Sequence, residues 1–162
     1  MNSNTSAFVK RMTHPLKFRF FELINLPSAF FSGVRIKDID DQRCTVTVPF
    51  KWFSQNPFRS TYFACLAMAA EMSTGLLAMM HIYKLKPGVS MLVIKMEASY
   101  FKKAVARTSF CCEDGKLFAQ TVEKAVATGQ PQTLVARSVG TSPGGEIVAE
   151  FLITWSFKAK KT

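Results

Sequence analysis

The stretch "TYFACLAMAAEMSTGLLAMM", residues 61–80, contains one charged residue, Glu71, among apolar side chains and small hydroxyls. A carboxylate is costly to bury in such surroundings unless it is protonated or has a partner. Asn56 and Pro57 precede the segment as a helix start signal, and Pro87 and Gly88 follow it as a stop signal. We therefore predict a buried central helix over residues 59–83 and a specific reason for its carboxylate.

The whole chain has the composition of one folded domain, residues 1–162, with an N-terminal helical segment over residues 1–31. A hydrophobic content of 48% with 20% charged residues excludes a disordered chain. Because Glu71 sits in the middle of the apolar segment, we favour a soluble core helix and predict no membrane span. The N-terminus lacks the pattern of a signal peptide, although its first twenty residues are basic and acid-free, which leaves a transit peptide open.

Charge and cysteine usage limit the partners. The formal net charge is +10, but the lysines and arginines are spread along the chain and form no nucleic-acid-binding motif. We predict no nucleic-acid partner and weigh a phosphorylated small molecule such as coenzyme A equally with plain solubility. Cys44, Cys65, Cys111 and Cys112 lack metal-ligand spacing, so we expect free thiols, no metal and a cytoplasmic location.

Alternation of apolar and polar residues predicts strands on both sides of the central helix. Residues 33–39 and 43–50 read as a hairpin before it. The predicted elements after it are strands at 91–101, 105–114, 132–140 and 146–158, with a helix at 116–129. The sum is an α+β domain with an antiparallel sheet of about six strands wrapped around one long helix, which is the hot-dog fold. The alternative is a cone of the nuclear-transport-factor type, where we would expect the helices before most strands.

The segment "NPFRSTYFACLAMAAE", residues 56–71, resembles the start of the central helix in hot-dog thioesterases of the phenylacetyl-CoA and 4-hydroxybenzoyl-CoA thioesterase type. Those proteins have an Asn in the preceding loop, His-Gly-Gly in the first turn and an acid further along. Asn56 and Glu71 match the Asn and the acid, whereas Tyr62, Phe63 and Ala64 stand where His-Gly-Gly would be. In "NPFRSTYFA" and the ending "ITWSF" the chain most resembles a bacterial branch of that superfamily.

The resemblance implies an acyl-CoA hydrolase that needs no cofactor beyond the coenzyme A of its substrate. Glu71 would activate water or attack the thioester carbonyl, with Asn56 and Tyr62 as further catalytic groups and the Phe63 and Ala64 amides polarising the carbonyl. Hot-dog proteins usually form homodimers or dimers of dimers with sites built from both chains. The expected substrate-binding residues are Ala67, Met68, Thr74, Gly75, Lys102, Lys103 and Arg107.

Simpler structural roles remain open for the same residues. In the structural alternative, Glu71 bonds a buried partner, Asn56 only caps the helix, and Tyr62 and Met68 only fill the core. The lysines and Arg107 then lie in a solvated loop. The alternative function is therefore a non-catalytic acyl-CoA or lipid-binding module on the same fold.

Overall fold

The structure, a computed structural model, describes residues 3–160. Helices occupy both the N-terminal part of the chain and the middle, and strands follow them in two groups. The elements are α1 Ser3–Met12, α2 Pro15–Asn25, α3 Pro27–Ser32, β1 Arg35–Ile39, β2 Cys44–Val48, a short 3-10 helix Trp52–Ser54, α4 Phe63–Ile82, β3 Val89–Tyr100, β4 Thr108–Cys112, α5 Gly115–Thr128, β5 Gln132–Thr141 and β6 Ile147–Ala159.

The six strands form one sheet in the order β1-β2-β4-β5-β6-β3, and every neighbouring pair is antiparallel. The predicted α+β fold with a six-stranded antiparallel sheet is confirmed. β3 pairs with β6 along its whole length and forms one edge of the sheet, with an irregularity between Val93 and Lys95. Its outer edge carries no strand among residues 3–160.

The sheet wraps around α4, whose inner face is fully buried against β2, β4 and β5. Ala69, Ala70 and Leu77 have no exposed surface, and Phe151 and Ile153 of β6 complete the same core. The predicted buried central helix is confirmed. α4 is the one helix within residues 3–160 that is long and apolar enough to cross a membrane, and most of it is buried inside the protein as a core helix.

α4 begins at Phe63, four residues later than the sequence predicts. The reason is the hydrogen bonding of the preceding loop, where the Asn56 side-chain oxygen accepts the backbone N–H groups of Phe58 and Ser60 at 3.0 and 3.2 Å. These bonds offer the backbone an alternative to the helix. Arg59 adopts a left-handed φ of 57°, which a helix does not contain.

Three helices precede the sheet, where the sequence predicts an N-terminal helical segment over residues 1–31 without its internal divisions. Leu26 ends α2, and Pro27 begins α3 because proline suits the first position of a helix. The inner face of α2 buries Phe18 and also Glu22, a second enclosed carboxylate. Glu22 is ion-paired with Arg19 one turn earlier and lies 3.9 Å from the Arg35 guanidinium.

Candidate active site

Glu71 occupies the outer side of α4, at the edge of the buried part of the helix. Its side chain forms no hydrogen bond or ion pair with any other residue among 3–160, in contrast to Glu22. Burial raises the pKa of Glu71, because removal of water penalises the charged form and no cation opposes the effect. The packing alternative, in which a buried Arg or Tyr pairs with this carboxylate, finds no support in the described residues.

The Glu71 carboxylate lines a cavity of about 180 Å³, which we call the Glu71 cavity. Apolar side chains from α2, α4 and β3 form most of its wall. The other lining residues are Met12, Phe18, Phe21, Asn25, Leu26, Met72, Gly75, Leu76, Met79 and Met91. A carboxylate next to an apolar space is a suitable general base near neutral pH.

The contribution of α2 to this cavity is not predicted by the sequence. Phe18, Phe21 and Asn25 follow one another at steps of three and four, so they share one face of α2. That spacing was the available signal, but spacing does not reveal which distant element a helix face covers. Asn25 supplies the one uncharged polar side chain in the lining, and its amide nitrogen donates to the Phe21 carbonyl at 2.9 Å.

Gly75 leaves room for the carboxylate. A methyl group at this position would lie 3.0 Å from Glu71 Oε1 and 3.3 Å from the Trp155 ring, tighter than side chains normally approach. Trp155 Nε1 donates to the Thr74 hydroxyl at 3.0 Å, and that hydroxyl donates to the Glu71 backbone carbonyl at 3.0 Å. Thr74 therefore fixes the helix and β6 beside Glu71, and it is fully buried. Its contact with substrate stays a prediction.

A second concavity, about 560 Å³ in volume, lies at the N-terminus of α4; we call it the helix-start groove. It brings together residues that are distant in the sequence. Its lining includes Asn56, Phe58, Tyr62, Phe63, Tyr100, Phe101, Lys102 and Lys103. Tyr62 is the N-cap residue of α4, and the Phe63 and Ala64 amides lie in the first turn, where a helix leaves N–H groups unpaired.

These first-turn amides are suitable donors to a developing negative charge. Among the described residues, neither the Phe63 nor the Ala64 N–H donates a hydrogen bond to another group. The positive end of the helix dipole adds to their effect. The Tyr62 N–H, by contrast, donates to the Ser54 carbonyl at 2.7 Å and is already used.

The basic residues expected near phosphates divide into two groups. Lys102 and Lys103 line the helix-start groove, and Lys102 is paired with Glu146. Arg107 does not line this groove; its guanidinium contacts the Thr47 hydroxyl at 3.5 Å. Thr61 holds the lysine-bearing loop against the start of α4, since its N–H and hydroxyl both donate to the Ala104 carbonyl at 2.8 and 3.0 Å.

A partly buried strip of α4 connects the groove with the Glu71 cavity. It consists of Ala64, Ala67 and Met68, which share the face of Glu71 at steps of three and four. Phe63 and Glu71 are eight residues apart, which corresponds to about 12 Å along the helix. One carbonyl group therefore does not reach both the first-turn amides and the carboxylate of the same chain.

No three His, Cys, Asp or Glu side chains within residues 3–160 gather as metal ligands. The four cysteines are free thiols, and burial raises the pKa of Cys44 and Cys112, the latter to about 12. The thiols of Cys44 and Cys112 are therefore protonated and poorly nucleophilic at neutral pH.

A six-stranded antiparallel sheet curled around one long buried helix is the hot-dog fold. The chain belongs to the family described as a domain of unknown function, DUF4442, which matches residues 18–156. A search of curated proteins found no match.

Solved structures share the fold at low sequence identity. A Pseudomonas aeruginosa protein described as a probable thioesterase is 18% identical, with a TM-score of 0.75 over 93% of this chain and 99% of the other. A Chlorobaculum tepidum protein of unknown function is 15% identical, with a TM-score of 0.76 over 95% and 99%. A Haemophilus influenzae thioesterase is 11% identical, with a TM-score of 0.62 over 85% and 87%. The predicted hot-dog fold is confirmed, while the particular subfamily stays a prediction.

Proposed function

We propose that this protein hydrolyses an acyl thioester, with acyl-CoA as the substrate class. The observation that carries the proposal is the desolvated and unpaired carboxylate of Glu71, facing an apolar cavity. A buried carboxylate without a partner lowers the stability of the fold. Groups of this kind occur preferentially at catalytic sites, so a catalytic role accounts for it. The names of the Pseudomonas and Haemophilus proteins support the same reaction.

In this reaction Glu71 acts on water or directly on the thioester carbonyl. As a base, it takes a proton from water while the oxygen bonds to the carbonyl carbon. The C–S bond then breaks, and the departing thiolate receives the proton from Glu71. A raised pKa makes the carboxylate a stronger base, and the surrounding Met72 and Leu76 give the step an apolar setting. Met68 and Ala67 of the strip would contact the acyl portion.

The carbonyl is polarised by the Phe63 and Ala64 amides of a second copy of the chain. This follows from the separation of about 12 Å between these amides and Glu71 within one chain. The exposed edge of β3 supports a homodimer, because Leu92, Ile94 and Met96 are solvent-exposed apolar side chains on a long strand whose outer edge has no partner strand. Two α4 helices related by a two-fold axis would bring the start of one helix towards the middle of the other.

Coenzyme A occupies the helix-start groove in this proposal. Lys102 and Lys103 would contact its phosphates, and the net charge of +10 attracts an anionic substrate. Asn56 contributes its side-chain amide, since the carbonyl oxygen of that side chain is occupied by the loop. Arg107 does not line the groove, so it would attract the coenzyme A phosphates only at longer range. A cytoplasmic location, where acyl-CoA is made and used, belongs to the same proposal.

A non-catalytic acyl-CoA-binding module is the second candidate. The observation in its favour is the replacement of His-Gly-Gly by Tyr62, Phe63 and Ala64. The Tyr62 and Phe63 rings are exposed and pack against each other at 4.8 Å, which narrows the groove where the substrate carbonyl would enter. Binding without turnover would distinguish this module from an enzyme.

The test is hydrolysis of an acyl-CoA panel of increasing chain length by the parent and by Glu71→Gln, with free thiol as the readout. The amide keeps the side-chain volume but is not a base, so we expect a rate loss of about 10²–10⁴-fold. Acyl-CoA binding should persist. Glu123→Gln, in an exposed position of α5, is the matched control and should keep full activity. Equal rates for Glu71→Gln and parent would refute the role of Glu71, and binding without turnover by the parent would establish the module.

A further inference from the structure

α2 is apolar on two opposite faces. The inner face packs on the core and lines the Glu71 cavity through Phe18 and Phe21. The outer face carries four large apolar side chains at positions i, i+4, i+7 and i+8, a spacing that aligns them on one side of a helix. These residues are Leu16, Phe20, Leu23 and Ile24, with exposed fractions of 77%, 65%, 40% and 62%. A contiguous group of exposed large apolar side chains normally marks a surface that binds a partner or a membrane.

Cations lie along one side of this outer face. An open groove of about 550 Å³ between α1 and α2 places Phe20 together with Lys10, Arg11 and Lys17. His14 lines the same groove. The first acidic residue in the sequence is Glu22, which is buried and paired with Arg19, so it does not neutralise these cations.

We propose that the outer face of α2 and the basic end of α1 bind the surface of an anionic lipid bilayer. α2 lies in the plane of the interface, its four apolar side chains enter the acyl boundary, and Lys10, Arg11 and Lys17 contact lipid phosphates. An apolar stripe flanked by lysine and arginine is the pattern of interfacial helices. Burial of the apolar side chains and attraction of the cations to anionic lipids both strengthen binding. This inference stands without the proposed function.

The charge distribution distinguishes a membrane from a second copy of the chain. A two-fold interface would place the same patch against itself, so Lys10, Arg11 and Lys17 would meet a surface that is also positively charged. Like charges face to face repel, and the patch has no free carboxylate to offset them. Lipid phosphates provide the complementary charge together with an apolar phase. The docked helix then holds the Glu71 cavity about one helix diameter, roughly 10 Å, from the bilayer.

The experiment is sedimentation of the purified full chain with vesicles of phosphatidylcholine alone and of phosphatidylcholine mixed with phosphatidylglycerol. We expect binding to the anionic vesicles at low salt and its loss at about 1 M salt, where the screening length falls to ~3 Å. Replacing Lys10, Arg11 and Lys17 by Gln should weaken binding about fivefold for each charge removed.

The apolar contribution is tested by a double variant, Phe20→Gln with Ile24→Gln, which keeps good helix formers in α2. We expect at least about tenfold weaker vesicle binding with an unchanged melting temperature, because both side chains are exposed. Leu117→Gln with Val135→Gln removes comparably exposed side chains from α5 and β5 and should bind like the parent.

Three results would overturn the inference: no binding of the parent to anionic vesicles, equal binding by the Phe20 and Ile24 double variant, or equal binding to neutral vesicles. A fall of the double variant from dimer to monomer mass in sedimentation, with parental vesicle binding, would instead assign the outer face of α2 to an interface between copies.

Discussion

Replacing Glu71 by Gln should stabilise the protein at neutral and alkaline pH while it removes hydrolysis. Burial raises the pKa of Glu71 in the folded state, and no cation among the described residues opposes this. For a carboxyl group whose pKa is raised on folding, the folded state carries no penalty below the unfolded pKa. The penalty then develops as the pH rises through the folded pKa, and it is fully present above it.

The magnitude follows from the cost of burying an unpaired group, about 1–3 kcal/mol. Gln keeps the volume but carries no charge, so we expect a gain of about 1 kcal/mol in unfolding free energy at pH 8. For a domain of this size that corresponds to a rise of about 2–4 °C in melting temperature. At pH 4 the carboxyl is protonated, and the difference between variant and parent should vanish.

The assay is thermal unfolding of both proteins between pH 4 and pH 8, followed by circular dichroism. Glu22→Gln is the matched control, since Glu22 is also enclosed but is paired with Arg19 and lies near Arg35. Burial raises the pKa of Glu22 as well, but both arginines oppose that effect. Loss of its ion pair should lower the unfolding free energy by about 1–3 kcal/mol. A Glu71→Gln variant that melts at or below the parent temperature at pH 8 would refute the inference that the Glu71 carboxylate is buried without a partner.

Three other predictions concern packing and assembly. Gly140→Ala should lower the unfolding free energy in urea by about 1–3 kcal/mol, because its methyl group would lie 2.5 Å from the Phe110 ring, whereas Gly144→Ala, at 3.8 Å from its nearest neighbour, should leave it unchanged. Trp155→Phe removes the donor to the buried Thr74 hydroxyl and should cost about 1–3 kcal/mol by the same measurement. Ile94→Lys places a charge on the exposed edge of β3 and should convert a homodimer into a monomer in sedimentation; a dimeric variant would exclude this edge as the interface.

The sequence predicts an element well where one local pattern determines its environment. Alternation along β6 places Phe151, Ile153 and Phe157 on one face, and all three are fully buried. β3 shows the same alternation, yet Leu92 and Ile94 are exposed. Alternation separates the two faces of a strand, but it does not say whether a neighbour covers either face. That depends on the strand order, which places β3 at the edge.

The site was predictable in part for a similar reason. Glu71 stands out because a single charge in an apolar helix is visible in the sequence. The meeting of Asn56 with Lys102 in one groove depends on a loop-to-loop contact between residues 46 positions apart, which only the resemblance suggested. Helical spacing also does not specify tertiary packing. It therefore predicts neither that α2 covers Glu71 nor that Glu22 is buried as an ion pair with Arg19.

The strand order has a consequence for the way the chain is made. β6 lies between β5 and β3, so β3 has no hydrogen-bonded neighbour until residues 147–159 have been synthesised. Trp155, which lies beside Gly75 and binds Thr74, arrives in the same late strand. A nascent chain that has reached β5 therefore leaves both edges of β3 and part of α4 exposed, and unpaired strands and apolar surface promote association with other chains. The surroundings of Glu71 are complete only once β6 has been made.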